Sequence, residues 1–119
     1  MARILLADDD TTLRDLAQRA LAADGHVLTI ASDGSEAAQH LASGSFDLLV
    51  SDVEMPGCGG FDLVRDFAPR HPRLAFLIVS GFVERLNSEN AAQFAPRVRT
   101  LAKPFTLEQL RAAVANSLG

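Results

Sequence analysis

Five short apolar runs, each followed by a stretch of helical periodicity, restrict what this 119-residue chain can become. The runs are RILLA (3–7), HVLTIA (26–31), DLLVS (47–51), LAFLIVS (74–80) and RVRTLA (97–102). Continuous apolar character over such lengths suits strands buried on both faces. Between the first two runs, Leu13, Leu16, Ala17, Ala20 and Leu21 recur at the spacing of one helix face, with Thr11 or Thr12 to cap its start and Gly25 to stop it. Residues 34–44 predict a second helix, capped by Ser35 and stopped at Gly44; residues 60–68 predict a third, ended before Pro69 and Pro72. A polar fourth helix is expected over 83–94, its apolar positions limited to Val83, Leu86, Ala91 and Phe94. The last, over 107–118, places Leu107, Leu110, Val114 and Leu118 on one face. The pattern is (βα)5, which implies an α/β fold with a mostly parallel sheet covered on both sides. The most apolar strand, 74–80, is expected in the centre of the sheet. No repeat, linker or low-complexity segment interrupts the pattern, so residues 1–119 are expected to form one domain.

Charge and composition remove several function classes. The net charge is −4 and the chain holds a single lysine among scattered arginines, which does not suit a binder of nucleic-acid backbone. Cys58 is the only cysteine, so no internal disulfide forms; His26, His40 and His71 share no ligand spacing, which argues against zinc. The apolar run at the N-terminus is too short for a signal peptide, and no window reaches the length of a membrane span. The expectation is a cytoplasmic protein without membrane contact.

The polar groups that follow the strands are more informative. Asp8, Asp9 and Asp10 follow the first, Asp52 the third, Ser80 the fourth, and Lys103 with Pro104 the fifth. A parallel sheet gathers all of them at its carboxyl edge, where ligands bind in open α/β folds. Two carboxylates about 4 Å apart repel by roughly 4 kcal/mol at an effective dielectric of 20, so the cluster needs a counter-charge. Mg²⁺, a hard cation that takes oxygen ligands, supplies one without histidine or cysteine. Lys103 and the Ser80 hydroxyl would complete a pocket for a phosphoryl group, and aspartate is an established nucleophile in phosphoryl transfer.

In their order and spacing, "ILLADDD", "LLVSDVEMPGCGG", "IVSG" and "LAKPF" resemble the receiver domain of two-component response regulators over essentially the whole chain. The expected fold is accordingly a doubly wound, flavodoxin-like (βα)5 sandwich with strand order 2-1-3-4-5. The resemblance implies that Asp52 accepts a phosphoryl group from a phospho-histidine on a histidine kinase or histidine phosphotransferase. It implies that Asp9, Asp52 and the backbone carbonyl of Glu54 ligate Mg²⁺, with Asp8 holding the ion through water. Lys103 would pair with the phosphoryl oxygens and Ser80 would donate its hydroxyl to them. The charge would then switch a docking surface around the fourth helix, fifth strand and last helix for a downstream protein that the sequence does not name. The family's Lys103–Pro104 bond is typically cis. Such a chain accepts phosphate and loses it again, and is not a turnover enzyme. The segment "SGFVERLN…LAKPF" is also similar to single-domain regulators that act as adaptors for an ATP-dependent protease in bacterial cell-cycle control; that likeness covers mainly the last third.

Two positions depart from the family pattern. Gly59-Gly60 stands where Asp-Gly is usual, which should loosen the loop. Thr100 stands where an aromatic usually swings inward on activation, and neither Phe82 nor Phe105 can be assigned that role from sequence. A binding module that needs no phosphate, with a vestigial acidic pocket, is therefore the alternative. Plainer roles also exist for single residues: helix-starting acids for Asp8 to Asp10, with Asp10 the capping or solvent-facing one; a turn residue for Asp52; a cap for Ser80; an exposed side chain for Glu54; an exposed thiol for Cys58. A flavodoxin is disfavoured because "DDDTT" would repel its phosphate. A dehalogenase-type phosphatase finds Asp8, Asp10 and Thr12 at the right spacing but lacks a cap insertion and leaves Asp52 unexplained.

Overall fold

The computed structural model describes residues 2–55, 58–82, 92–94 and 96–119. Its elements are β1 (Arg3–Ala7), α1 (Thr11–Ala23), β2 (Val27–Ala31), α2 (Gly34–Ser43), β3 (Leu48–Asp52), α3 (Gly60–Phe67), β4 (Ala75–Ser80), β5 (Val98–Ala102) and α4 (Leu107–Leu118). All strand pairs are parallel, in the order β2-β1-β3-β4-β5. The helix expected over 83–94 falls largely outside the described residues. Strand β4 is interior, as its composition requires, but β3 holds the middle of the sheet.

Alternation along the strands divides the core into two layers. Leu5, Leu49, Phe76 and Ile78 pack with Ala37 and Leu41 of α2 and Leu63, Val64 and Phe67 of α3. Ile4, Leu6, Leu48 and Leu77 pack with Ala17 and Leu21 of α1 and Leu110 and Val114 of α4. Leu16 and Leu107, expected on buried faces, are 44% and 38% exposed. Leu16 lines a cleft open to solvent, and Leu107 is the first residue of α4.

The helix ends follow from local chemistry, though not always at the expected residue. Asp10, not Thr11 or Thr12, caps α1: its Oδ1 accepts from the N–H groups of Thr12 and Leu13. Asp33, not Ser35, caps α2 by accepting from Glu36 N–H at 2.8 Å. In both cases a carboxylate one or two residues earlier reaches the free N–H groups and adds a favourable charge at the positive end of the helix. Gly25 ends α1 as expected, with φ 89°. The N–H of His26 donates to Leu21 O and that of Gly25 to Ala22 O, a pairing that favours glycine in the left-handed position.

The chain leaves β1 toward β2 on one side and returns to β3 on the other. Asp8 follows β1 and Asp52 ends β3, one residue further into the strand than the expected run 47–51. Both therefore lie at the carboxyl edge where the winding reverses, the place at which such sheets bind ligands.

Candidate functional site

Three strand ends, those of β1, β3 and β5, deliver the charged groups. Asp8 and Asp52 are buried at 4% and 6% exposure, whereas Asp9 is exposed. Each of the three can place one carboxylate oxygen within 4.8 Å of the others. From β5, Lys103 reaches in: its Nζ lies 2.6 Å from Asp52 Oδ2 and 3.8 Å from Asp8 Oδ2. The peptide bond between Lys103 and Pro104 is cis. Asp10 N–H donates to Asp8 Oδ1 at 2.9 Å, and Arg14 Nη1 donates to the Asp8 carbonyl at 3.3 Å.

Burial pushes the Asp8 carboxyl above its ordinary range, and the charges of Asp52 and Asp9 add to that; the Asp10 N–H and Lys103 act in the opposite sense. Burial likewise works against the Lys103 ammonium. Its hydrogen bond to Asp52 and the charges of Asp8, Asp52 and Asp10 outweigh it, so Lys103 is held above its ordinary value and stays charged at neutral pH.

Among the described residues, one ammonium faces three acids. Asp52 Oδ1 is buried without a hydrogen-bond partner among the described residues, an uncommon state for a carboxylate oxygen. A cluster with surplus negative charge, only oxygen donors and an orphaned acceptor fits a hard divalent cation such as Mg²⁺.

Ser80, fully buried at the end of β4, accepts from Phe82 N–H at 3.0 Å and donates its hydroxyl toward Glu54 Oε1 at 3.4 Å. Glu54 is half-buried instead of exposed, because its side chain turns back toward the strand ends. Cys58, also expected to be exposed, is half-buried and packs on the core; burial raises its pKa, with Asp62 and Asp66 adding, which suppresses the reactive thiolate. Thr100 is exposed on β5, Phe82 is exposed, and Phe105 packs against the layer under α1 and α4. Gly59 and Gly60, expected to loosen the loop, are closely packed. A Cβ at Gly59 would lie 2.0 Å from the Val53 carbonyl oxygen, and Asp62 accepts from Gly59 N–H at 3.1 Å, so the glycine gives close packing. Pro56 and Gly57 lie outside the described residues. A cleft of about 330 Å³ opens beside Lys103, lined by Asp10, Leu13, Leu16, Pro104 and Phe105; composition alone did not signal it, since it joins α1 to the segment after β5.

The family model described as "Response regulator receiver domain" matches residues 4–115. The chain belongs to this family. It is 36% identical over 112 residues to the response regulator receiver protein CpdR of Brucella abortus, covering 92% of this chain and 91% of that one. It is 32% identical over 115 residues to the transcriptional regulator NtrC of Escherichia coli, covering 97% of this chain but 24% of NtrC. This receiver thus spans about a quarter of that longer regulator. Among solved structures, the chemotaxis regulator CheY4 of Vibrio cholerae superposes with a TM-score of 0.87 at 26% identity, covering 99% of each chain. Receiver domains of two-component systems accept phosphoryl groups on an aspartate, bind Mg²⁺ in an acidic pocket, and interact with histidine kinases or phosphotransferases. As a class they are phosphoacceptors and not turnover enzymes. No described helix is long and apolar enough to cross a membrane.

Proposed function

We propose that this receiver, as one unit over residues 1–119, takes a phosphoryl group onto Asp52 from a phospho-histidine of a partner protein and uses it to switch a docking surface. The observation that carries the reading is the buried Asp52 carboxylate with one oxygen on Lys103 and the other unpartnered among the described residues. An Asp52 oxygen attacks phosphorus, the O–P bond forms as the N–P bond breaks, and the imidazole departs with the electron pair. Lys103 stays charged and pairs with the phosphoryl oxygens; the Ser80 hydroxyl donates to another. Asp8, Asp9 and Asp52, with the Glu54 carbonyl, would hold Mg²⁺, which neutralises the charge that builds on the transferred group. The residues' own contribution is placement, because this chemistry needs little beyond alignment and neutralisation. Water later hydrolyses the acyl phosphate and resets the chain.

The apolar cleft beside Lys103 gives a helix bearing the donor histidine a place to lie against α1. The free Cys58 thiol suits the reducing cytoplasm, where we place the protein. The intact acid–lysine pair lends no support to a vestigial pocket.

Incubation with Mg²⁺ and a small acyl phosphate, followed by intact mass, tests the reading. Wild type should gain one phosphoryl group, and Asp52→Asn should gain none. An equal adduct on both, or none on wild type, defeats it.

A further inference from the structure

Ser80 has one hydroxyl proton to give. Phe82 N–H already occupies an acceptor position on its oxygen, and Glu54 Oε1 takes the proton at 3.4 Å. Glu54 stands two residues beyond Asp52, so the loop that follows the phosphoryl acceptor carries a second claimant for the hydroxyl. We propose that Glu54 is a competing acceptor that holds the Ser80 hydroxyl until a phosphoryl group displaces it, and so is a positioning residue that sets how readily the chain switches. This rests on the reading of Asp52 as the phosphoacceptor.

The exclusivity is chemical: one proton cannot serve Glu54 and a phosphoryl oxygen together. The direction follows from strength. A 3.4 Å contact is at the long end of hydrogen bonding, whereas a phosphoryl oxygen is a stronger, charge-bearing acceptor. The resting contact is therefore surrendered on phosphorylation yet biases the chain against switching before it. Its release reaches the surface through a second bond. Phe82 N–H shares the Ser80 oxygen, and Phe82 is 52% exposed, so movement of the Ser80 side chain toward the phosphoryl group displaces the acceptor that holds the backbone of a surface aromatic. In a chain with Thr100 at the usual aromatic position, that link offers a short route from site to surface.

The experiment is a beryllofluoride titration in Mg²⁺ on wild type, Glu54→Ala, Ser80→Ala and the double variant, followed by the backbone amide resonances of Phe82 and of whichever residue occupies position 80. Glu54→Ala should tighten binding by about twofold more with Ser80 present than with alanine there, the equivalent of a hydrogen bond at the weak end of the usual range. Unliganded Glu54→Ala should also show the Phe82 amide displaced toward its beryllofluoride-bound position. Equal effects in both backgrounds would show that Glu54 acts by some route other than the Ser80 hydroxyl and overturn the proposal while leaving Asp52 its role. If wild type takes up no beryllofluoride, the phosphoacceptor reading fails and the proposal falls with it.

Discussion

Three aspartates gather at a sheet edge where one lysine must neutralise them. Lys103 sits on Asp52 at 2.6 Å and on Asp8 at 3.8 Å, which leaves Asp9 and part of Asp52 without a cation among the described residues. A divalent ion that binds only the folded state stabilises it by mass action, by about 2.7 kcal/mol at a free concentration 100 times the dissociation constant. Saturating Mg²⁺ should therefore raise the melting temperature of wild type, and chelation should return it. Asp9→Ala should lose most of that gain, while costing little by itself because Asp9 is exposed. Calorimetry with and without the ion checks this; an unmoved melting temperature would mean that the acids hold no cation.

Among the elements, the start of α2 and the loop after β3 are pressed together. A Cβ added at Gly34 would lie 1.7 Å from the Cys58 carbonyl oxygen, which is backbone and cannot rotate away. Alanine normally improves a helix by about 1 kcal/mol over glycine. Forced overpacking costs about 1–3 kcal/mol and wins here. Gly34→Ala should thus lower stability by up to about 2 kcal/mol in urea unfolding, and a stabilising result would show that the two elements are not in contact. A similar economy joins α3 to the sheet, where Arg97 donates to the carbonyls of Ala68, His71 and Leu74 and so serves the end of α3 and the entry to β4 together.

Across the whole molecule, the end of α1 is tied to α4 by a two-pronged pair. Arg111 Nε and Nη2 donate to Asp24 at 2.8 and 2.5 Å. The hydrogen bonds to Arg111 hold the Asp24 carboxyl below its ordinary value of 3.8, and the charge of His26 acts in the same sense. A carboxyl with a lowered folded pKa adds stability above its unfolded value and loses it as pH falls through the folded value. Asp24→Asn should consequently show a smaller fall in melting temperature between about pH 5 and about pH 3 than wild type does. The difference should shrink in high salt, because both side chains are solvent-accessible. Parallel acid profiles of the two proteins would remove the pair from the stability of the fold.

Strand and helix identity was legible in the sequence because it depends on neighbours: the buried run 74–80 and the face carrying Ala17 and Leu21 announce themselves within a few residues. The meeting of Asp8, Asp9, Asp52 and Lys103 was legible too, since a parallel sheet sends every strand end to one edge. Distances and partners were not. The half-buried Glu54 and its contact with Ser80, the close packing at Gly59, and the exposure of Leu16 depend on how elements far apart in the chain settle against one another. Periodicity determines which side of an element is apolar; only packing in three dimensions decides how far the cover extends and which polar group finds which.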